Sequence, residues 1–264
     1  MSGFELVPFW LWVVLATVLG LILGSFANVC IARMPQRESV SFPPSNCPKC
    51  HTPIKAVDNI PVLSWVLLGG KCRACSEPIS IKYPVVETAT GLLMAATVLK
   101  FGPTVEAVLH MVLMPPLVII TVIDIEHQII PDRITLPGIL YGLAAGSYLH
   151  GWFDTVVGFV AGGGSFLLLA EVYLRTRGVQ GMGGGDIKYI AAAGAFLGWQ
   201  QVLVVIFGGS LLGALFGALG MSVKKIKFLT RIPFGPFLVL ATLISIFYGK
   251  EMIFLYLELA GVKQ

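Results

Sequence analysis

The chain has 264 residues, of which 56% are hydrophobic and only 12% are charged, and its formal net charge is +4. Soluble globular domains carry about 25% charged residues, so a fraction half as large excludes an ordinary soluble domain. The 30 glycines and the mean hydropathy of +0.86 point to membrane helices, in which glycine is more frequent than in soluble ones. The composition also disfavours disorder, a fibrous repeat and nucleic-acid binding.

Apolar segments suited to a bilayer occur eight times along the chain. A spanning helix needs about 20 mostly apolar residues, and shorter ones are tolerated where they face protein or a water-filled cavity. The predicted spans are Phe9–Ile31, Pro84–Lys100, Thr104–Ile123, Ile134–Leu149, Thr155–Leu174, Ile187–Trp199, Val202–Val223 and Pro233–Tyr248. We expect the first to be retained, because it lacks the basic start and small-residue cleavage site of a signal peptide. The fold class predicted is an all-α polytopic membrane protein with about eight transmembrane helices.

Lysine and arginine set the expected orientation of these spans. With eight spans, fifteen of the 18 basic residues fall in segments on one side of the membrane. The three on the other side are Lys100, Lys250 and Lys263. The positive-inside rule makes the side with fifteen cytoplasmic. We expect Lys224, Lys225 and Lys227 to contact anionic lipid headgroups.

A polar segment rich in proline and cysteine separates the first span from the rest. The predicted division is therefore residues 1–31 for the first helix, 32–83 for a cytoplasmic insert and 84–264 for a transmembrane catalytic core of about seven helices. An insert of about 50 residues is too small to fold on a hydrophobic core alone, which favours a metal as a staple.

Two CxxC pairs lie in this insert with 21 residues between them, which predicts a zinc site with four thiolate ligands. Its ligands would be Cys47, Cys50, Cys72 and Cys75. Four cysteine ligands leave no open position for a catalytic water, so the predicted zinc is structural. The alternatives are two disulfides or redox thiols, which a reducing cytoplasm disfavours, or His51 as a substitute ligand. Cys30 is expected to pack at the end of the first span.

Two aspartates lie at predicted span ends on the same side of the membrane. Asp124 ends the apolar run Leu117–Ile123, and Asp186 precedes the span that begins at Ile187. Two carboxylates that share one site hold a single proton, as in an aspartic protease. The ionised member then takes a proton from the attacking water while the protonated member polarises the peptide carbonyl. The alternative is that both are water-facing charges at helix ends.

Three glycines, Gly183, Gly184 and Gly185, directly precede Asp186. Residues without Cβ allow unusual backbone angles and let another chain approach closely, so this loop is expected to make room for an extended substrate. Gly209, Gly213 and Gly217 recur at every fourth position of the seventh span and predict a close-packed helix interface.

Other polar residues near these sites have simpler interpretations. Asp132 precedes a predicted helix and is expected to cap it. We interpret His127 as a solvated histidine at the membrane interface and Lys188 as a marker of the cytoplasmic face. Glu87 and Glu171 lie within spans, where they either line a cavity or pair with a basic residue.

Motifs along nearly the whole chain resemble the bacterial prepilin peptidases, of the GxGD class of intramembrane aspartyl proteases that also includes archaeal preflagellin peptidases and presenilin. The matching stretches are Gly24–Val29, Arg33–Pro35, Cys47–Cys50, Asp58–Trp65, Gly70–Cys75, Ile79–Ser80, Tyr83–Glu87, Asp124–Asp132, Gly183–Lys188 and Pro233–Phe237. A lone GxGD would be weak support, whereas ordered motifs with a matching topology are strong support.

The resemblance implies that Asp124 and Asp186 are the catalytic pair. It implies cleavage after the glycine that ends a short basic leader, on the cytoplasmic side, in type IV prepilins or the pseudopilins of type II secretion. Because many relatives with both CxxC pairs methylate the new amine with S-adenosylmethionine, it also implies that activity. No glycine-rich nucleotide-binding motif in residues 32–83 supports methylation independently.

Two functions from other classes remain open on the sequence. A transporter or channel would use Asp124, Asp186 and Glu171 as a relay for protons or cations. A non-enzymatic scaffold would instead bind an assembly ATPase through the zinc insert, and substitution of its aspartates would have no effect.

Overall fold

The structure, a computed structural model, describes residues 7–179, 181–222 and 232–261. These residues form ten α-helices: α1 Phe9–Arg33, α2 Leu63–Leu67, α3 Lys82–Phe101, α4 Val105–His127, α5 Asp132–His150, α6 Trp152–Phe159, α7 Ser165–Arg177, α8 Gly184–Leu197, α9 Trp199–Ser222 and α10 Gly235–Leu259. A π-helical turn, Val160–Gly164, joins α6 to α7, and the described residues contain only two isolated β-bridges and no strand. The predicted all-α fold is confirmed.

Six helical segments of the described chain are long and apolar enough to cross a membrane. They are Phe9–Arg33, Lys82–Phe101, Val105–His127, Trp152–Arg177, Trp199–Ser222 and Gly235–Leu259. The predicted count of eight is not confirmed. The two remaining predicted spans lie in α5 and α8, and α8 has 14 residues, or about 21 Å, against a hydrocarbon core of about 30 Å.

The orientation predicted from the basic residues depends on the count of eight and stays a prediction. The lysines expected to contact lipid, Lys224, Lys225 and Lys227, lie outside the described residues, as do Arg231 and Lys263. The chain divides into two compact units, Met1–Ile119 and Ile120–Gln264. The three-part division predicted from the sequence stays a prediction.

In the first unit, α1 packs along α3 at a point where two glycines of α1 face the α3 backbone. A Cβ on Gly20 would lie 2.7 Å from the Cα of Gly91, and one on Gly24 would lie 2.7 Å from the Cα of Glu87. Small residues at four-residue spacing allow this close approach of two helices.

The insert between α1 and α3 is fixed to these helices by side-chain hydrogen bonds. Glu87 of α3 is buried, and its Oε2 accepts the N–H of Val62 at 2.7 Å. Val62 has a φ of +61°, a conformation that β-branched residues rarely adopt, so this bond helps to hold a strained turn. The two helices are also joined to each other, since Asn28 of α1 donates to the carbonyl of Tyr83 in the first turn of α3 at 3.1 Å.

The second unit is built around α8, whose residues after Lys188 are almost all buried. Helices α5 and α6 and the π-helical turn pack against it, and glycines on those elements give access to its backbone. A Cβ on Gly142 of α5 would lie 2.7 Å from the carbonyl oxygen of Ala192. On α8, the buried Tyr189 hydroxyl donates to Thr242 Oγ1 of α10 at 2.7 Å. Helix α8, which is too short to be one of the six candidate spans, therefore forms the core of this unit.

Candidate functional site

Asp124 lies in the last turn of α4 and is only 5% exposed. Burying a charged group is costly unless hydrogen bonds compensate, and its Oδ2 accepts the backbone N–H of Gly235 at 2.8 Å. Gly235 begins α10, and a Cβ at that position would lie 2.7 Å from the same oxygen. The start of α10 can therefore reach Asp124 because residue 235 has no side chain.

Asp186 lies in the first turn of α8, outside the six candidate spans. Gly183 precedes the helix, and its N–H donates to the Asp186 carboxylate, an arrangement like the acidic half of a capping box. Burial and the nearby charge of Asp124 raise the pKa of Asp186 to about 6, although this N–H opposes the shift. The two aspartates are thus brought close enough for one charge to act on the other.

The loop between α4 and α5 packs against the glycines that precede Asp186. A Cβ on Gly185 would lie 2.9 Å from the Cβ of Ile130 and 3.1 Å from its carbonyl oxygen. Among the described residues, a Cβ on Gly184 would meet no atom within 4 Å, and one on Gly183 would lie 3.0 Å from Asp186 Oδ2.

The three glycines before Asp186 do not adopt the unusual backbone angles that glycine allows. None of the three has a positive φ, so an L-residue could adopt their backbone conformation. What Gly185 provides is space for Ile130, in the loop that directly follows Asp124's helix. This close approach helps to bring two aspartates 62 positions apart in the sequence into one site.

Two of the polar residues with simpler interpretations on the sequence, Lys188 and Glu171, form ion pairs. Lys188 Nζ contacts Asp132 Oδ1 at 2.7 Å, and the residue that caps α5 is Pro131, so the capping role predicted for Asp132 is wrong. Asp132 is instead the first residue of the helix, where its side chain reaches Lys188.

Glu171 pairs with Arg175 one turn later on α7 at 2.6 Å, which agrees with the simpler interpretation of this acid. His127 is exposed, as a solvated histidine would be.

In the first unit, the four cysteines of the two CxxC pairs come together. The Sγ atoms of Cys47, Cys50, Cys72 and Cys75 all lie within 4.8 Å of one another. The Sγ atoms of Cys47 and Cys75 are 3.8 Å apart, close to the edge of a tetrahedron with metal–sulfur bonds of about 2.3 Å. The cluster can hold a metal ion.

The two CxxC turns have nearly the same backbone. In the first, the N–H of His51 donates to the Cys47 carbonyl, and in the second the N–H of Ser76 donates to Cys72, both at 2.9 Å. His51 and Ser76 occupy equivalent positions with φ of +55° and +59°. His51 therefore completes a turn, and the cluster consists of the four cysteines.

Hydrogen bonds from the turns favour thiolates at two of these cysteines. The side chain and backbone of Thr52 lower the pKa of Cys50 to about 6. The backbone N–H groups of Cys75 and Ala74 lower the pKa of Cys72. Thiolates are the form that binds metal ions, so the fold is suited to that role.

One salt bridge ties the second turn to the rest of the insert. Arg73 donates to both carboxylate oxygens of Asp58, with its closest contact at 2.6 Å, and this hydrogen bonding lowers the pKa of Asp58. Bidentate arginine–carboxylate pairs fix orientation as well as distance. The cysteine cluster and the turn that contains Asp58 are therefore held in one arrangement.

Comparison with known proteins identifies the family. Residues 18–101 match the bacterial peptidase A24 N-terminal domain, and residues 111–218 match the type IV leader peptidase family. The chain is 36% identical to a prepilin leader peptidase/N-methyltransferase of Pseudomonas putida, over 95% of each chain. The chain belongs to the type IV leader peptidase family.

Other members of the family are similar over almost their whole length. The protein of the same description from Aeromonas hydrophila is 37% identical over 94% of each chain. That from Burkholderia pseudomallei is 32% identical over 99% of this chain and 92% of its own. No solved structure matched this chain.

Two contributors to the site were missed on the sequence. Gly235 lies in the stretch Pro233–Phe237 and Ile130 in the stretch Asp124–Asp132, both of which resemble the family without indicating a role for these two residues. The signal in the sequence was a glycine between Pro233 and Pro236, whose backbones are rigid, at the start of an apolar helix. It indicated a close approach, but not which group approached.

Proposed function

We propose that the chain is an aspartyl endopeptidase that removes the short basic leader from type IV prepilins or pseudopilins. Its curated relatives are named for prepilin leader cleavage, and the transporter interpretation has no support among them. The single observation that carries the proposal is that Gly185, the neighbour of Asp186, packs against Ile130, six residues after Asp124 at the end of α4. Two carboxylates that share one proton are the catalytic groups of aspartic proteases.

The pair, rather than either residue alone, holds the proton that catalysis uses. The ionised carboxylate takes a proton from water as the water oxygen attacks the peptide carbonyl carbon, and the protonated carboxyl donates to the carbonyl oxygen. The tetrahedral intermediate collapses when the amide nitrogen receives a proton and the C–N bond breaks. The leader leaves with a new carboxylate, and the remaining chain has a free amine.

The N–H of Gly235 supports this chemistry by fixing one oxygen of Asp124. A carboxylate held by a backbone donor needs no reorganisation when charge moves during the reaction. Gly183 and Gly184 are exposed at the entrance to Asp186, and their lack of side chains leaves room for the unwound substrate segment. The glycine loop thus has two parts, one packed against Ile130 and one open.

We propose zinc as the ion held by Cys47, Cys50, Cys72 and Cys75, with a structural role. Four sulfur ligands at tetrahedral spacing suit zinc, and they leave no position for a reacting water. When bound, the ion would supply folding free energy to an insert that has little apolar core of its own. The hydrolytic steps are assigned to the aspartates alone.

Methylation of the new amine with S-adenosylmethionine is the second proposed activity. It is supported by the names of the relatives, which all combine leader peptidase with N-methyltransferase. No residue is assigned to the methyl donor, so no step of that reaction is derived.

The proposed setting is the inner membrane, with the aspartates and the insert at the cytoplasmic face. The multi-pass character follows from the six candidate spans, and the side follows from the positive-inside distribution of lysine and arginine. Anionic lipids are proposed as contacts of Lys224, Lys225 and Lys227.

The test is to incubate purified protein in detergent with a prepilin, with and without S-adenosylmethionine, and to weigh the products by mass spectrometry. We expect a product shortened by its leader in both samples, and an additional 14 Da, the mass of one methylene, only with the methyl donor. An intact prepilin in both samples would contradict the peptidase, and a shortened product without added mass would contradict only the methyltransferase.

A further inference from the structure

The short helix α2 has an apolar face that points away from the rest of the insert. Leu63, Val66 and Leu67 lie at positions i, i+3 and i+4, so they share one side of the helix. Leu67 is 83% exposed, and Leu63 and Val66 are each 60% exposed. We call these three side chains the α2 face. Apolar side chains that cluster on a surface mark a contact with a membrane or with another protein.

The opposite side of α2 packs against the insert. Ser64 is buried, and its hydroxyl donates to the carbonyl of Val57 at 2.9 Å. The indole N–H of Trp65 donates to the carbonyl of Ile79 at 3.0 Å, and a Cβ on Gly70 would lie 2.9 Å from the indole ring. These contacts fix which side of α2 points outward, so the exposure of the α2 face is a consequence of the fold.

The start of α2 is bound to a candidate membrane span. Val62, which directly precedes α2, donates its N–H to Glu87 of α3 at 2.7 Å, and α3 is one of the six candidate spans. Glu87 comes five residues after Lys82, the first residue of α3, which is about 7.5 Å along the helix axis. The headgroup region on each side of a bilayer is roughly 5–7 Å thick. The hydrogen bond therefore holds α2 near the boundary between headgroups and acyl chains.

The charge of the insert suits an anionic bilayer surface. Residues 32–83 contain seven lysines and arginines against three aspartates and glutamates, and the difference of +4 equals the formal net charge of the whole chain. Lys55 and Lys71, on either side of α2 in the sequence, are both exposed. Basic residues beside an apolar face are typical of segments that lie in the headgroup region with their apolar side chains in the lipid.

We propose that α2 is an interfacial helix, in which the α2 face lies among lipid acyl chains while Lys55 and Lys71 contact anionic headgroups. A bilayer fits this face better than another protein does, because both ends of the insert continue into candidate spans that keep it beside the membrane. The bond from Trp65 to Ile79 joins α2 to the segment after the second CxxC pair. Through that bond, α2 holds the cysteine cluster at a fixed height above the membrane.

The test places a photoreactive diazirine analogue of leucine at position 67 of the full-length chain, in bilayers of phosphatidylethanolamine and phosphatidylglycerol. The control has the same analogue in place of Ala74, which is exposed on the second CxxC turn and is not a member of the cysteine cluster. After illumination, mass spectrometry of the digested chain identifies what each position has reacted with. We expect about ten times more phospholipid adduct at position 67 than at position 74, because burying one leucine side chain corresponds to a tenfold or larger change in occupancy.

Each outcome decides the proposal. Equal yields of phospholipid adduct at the two positions would overturn it. Adducts at position 67 with peptides in place of lipid would overturn it as well, since they would mean that protein covers the α2 face. The analogue at position 63, one turn earlier on the same face, should give the result of position 67 and replaces it if that variant does not accumulate. The readout does not involve leader cleavage, so the result is independent of the proposed function.

Discussion

The four cysteines of the insert and the two aspartates of the second unit are assembled in different ways. Each cysteine pair is positioned by its own turn, with a repeated pattern of backbone hydrogen bonds and one left-handed residue. The aspartate site instead combines the end of α4, the start of α8 and the start of α10, which are far apart in the sequence. The first site depends on local turns, and the second depends on how closely helices can approach.

Glycine makes the second kind of assembly possible. Ile130 packs against Gly185, and the Asp124 carboxylate packs against Gly235. In both places a Cβ on the glycine would lie less than 3.0 Å from its neighbour. The comparison implies that a single added methyl group damages the aspartate site, whereas the cysteine site fails only when a ligand or its turn is lost.

Outside the two aspartates themselves, the largest effect is expected at Gly185. Gly185→Ala places a methyl group against the Ile130 backbone and should shift Asp186 away from Asp124, and misplacement of about 1 Å costs roughly a hundredfold in rate. The measurement is kcat/KM for leader cleavage by purified enzyme. The control is Gly138→Ala on α5, whose Cβ would lie 3.7 Å from the Cβ of Ala192, an ordinary contact, and which should stay within about threefold of the unaltered chain. Equal effects at the two positions would refute the packing explanation.

The second prediction concerns Gly235. Gly235→Ala should lower kcat/KM by about ten- to a hundredfold, because displacing the start of α10 weakens a hydrogen bond to a charged group, worth about 1.5–3 kcal/mol. The control is Gly217→Ala, whose Cβ would meet only a terminal carbon of Ile232 at 3.6 Å. If Gly235→Ala cleaves at the normal rate, the backbone donor does not matter for the reaction.

The third prediction breaks the cysteine site. Cys47→Ser should reduce the zinc content of purified protein, measured by mass spectrometry of the metal, and should lower the amount of enzyme in membranes more than the rate per folded molecule. Cys30→Ser is the control, because Cys30 is buried in α1 and is not a member of the cluster. A metal-free Cys47→Ser protein with normal abundance and normal protease resistance would argue against the structural zinc.

The smallest effect is expected at the ion pair beside the aspartates. Lys188→Met should change kcat/KM by less than about fivefold, since pairs between exposed side chains contribute about 0–1 kcal/mol. Cleavage rates at low and high salt check the same point, because screening should have little effect on a weak pair. A loss comparable to that of Gly185→Ala would mean that Lys188 has a direct role.

The features that could be predicted from the sequence are those that depend on local structure, and the features that could not depend on how helices pack. The cysteine cluster was predictable because ligand spacing within a turn is a local property. The helical fold was predictable from the apolar segments, but the span count was not, because α8 is short and becomes buried by packing against its neighbours. The pairing of Asp124 and Asp186 could be proposed, whereas the contacts that fix it, to Ile130 and Gly235, depend on the path of the chain between helices.

The most direct test of the paired carboxylates is cleavage of one prepilin by three enzymes, Asp124→Asn, Asp186→Asn and the double variant, each checked for normal zinc content. When two groups act as one catalytic unit, removing either one costs about as much as removing both. Each single substitution should therefore abolish cleavage as completely as the double substitution. If either single variant still removes the leader at a rate near that of the unaltered chain, the two aspartates are not a catalytic pair.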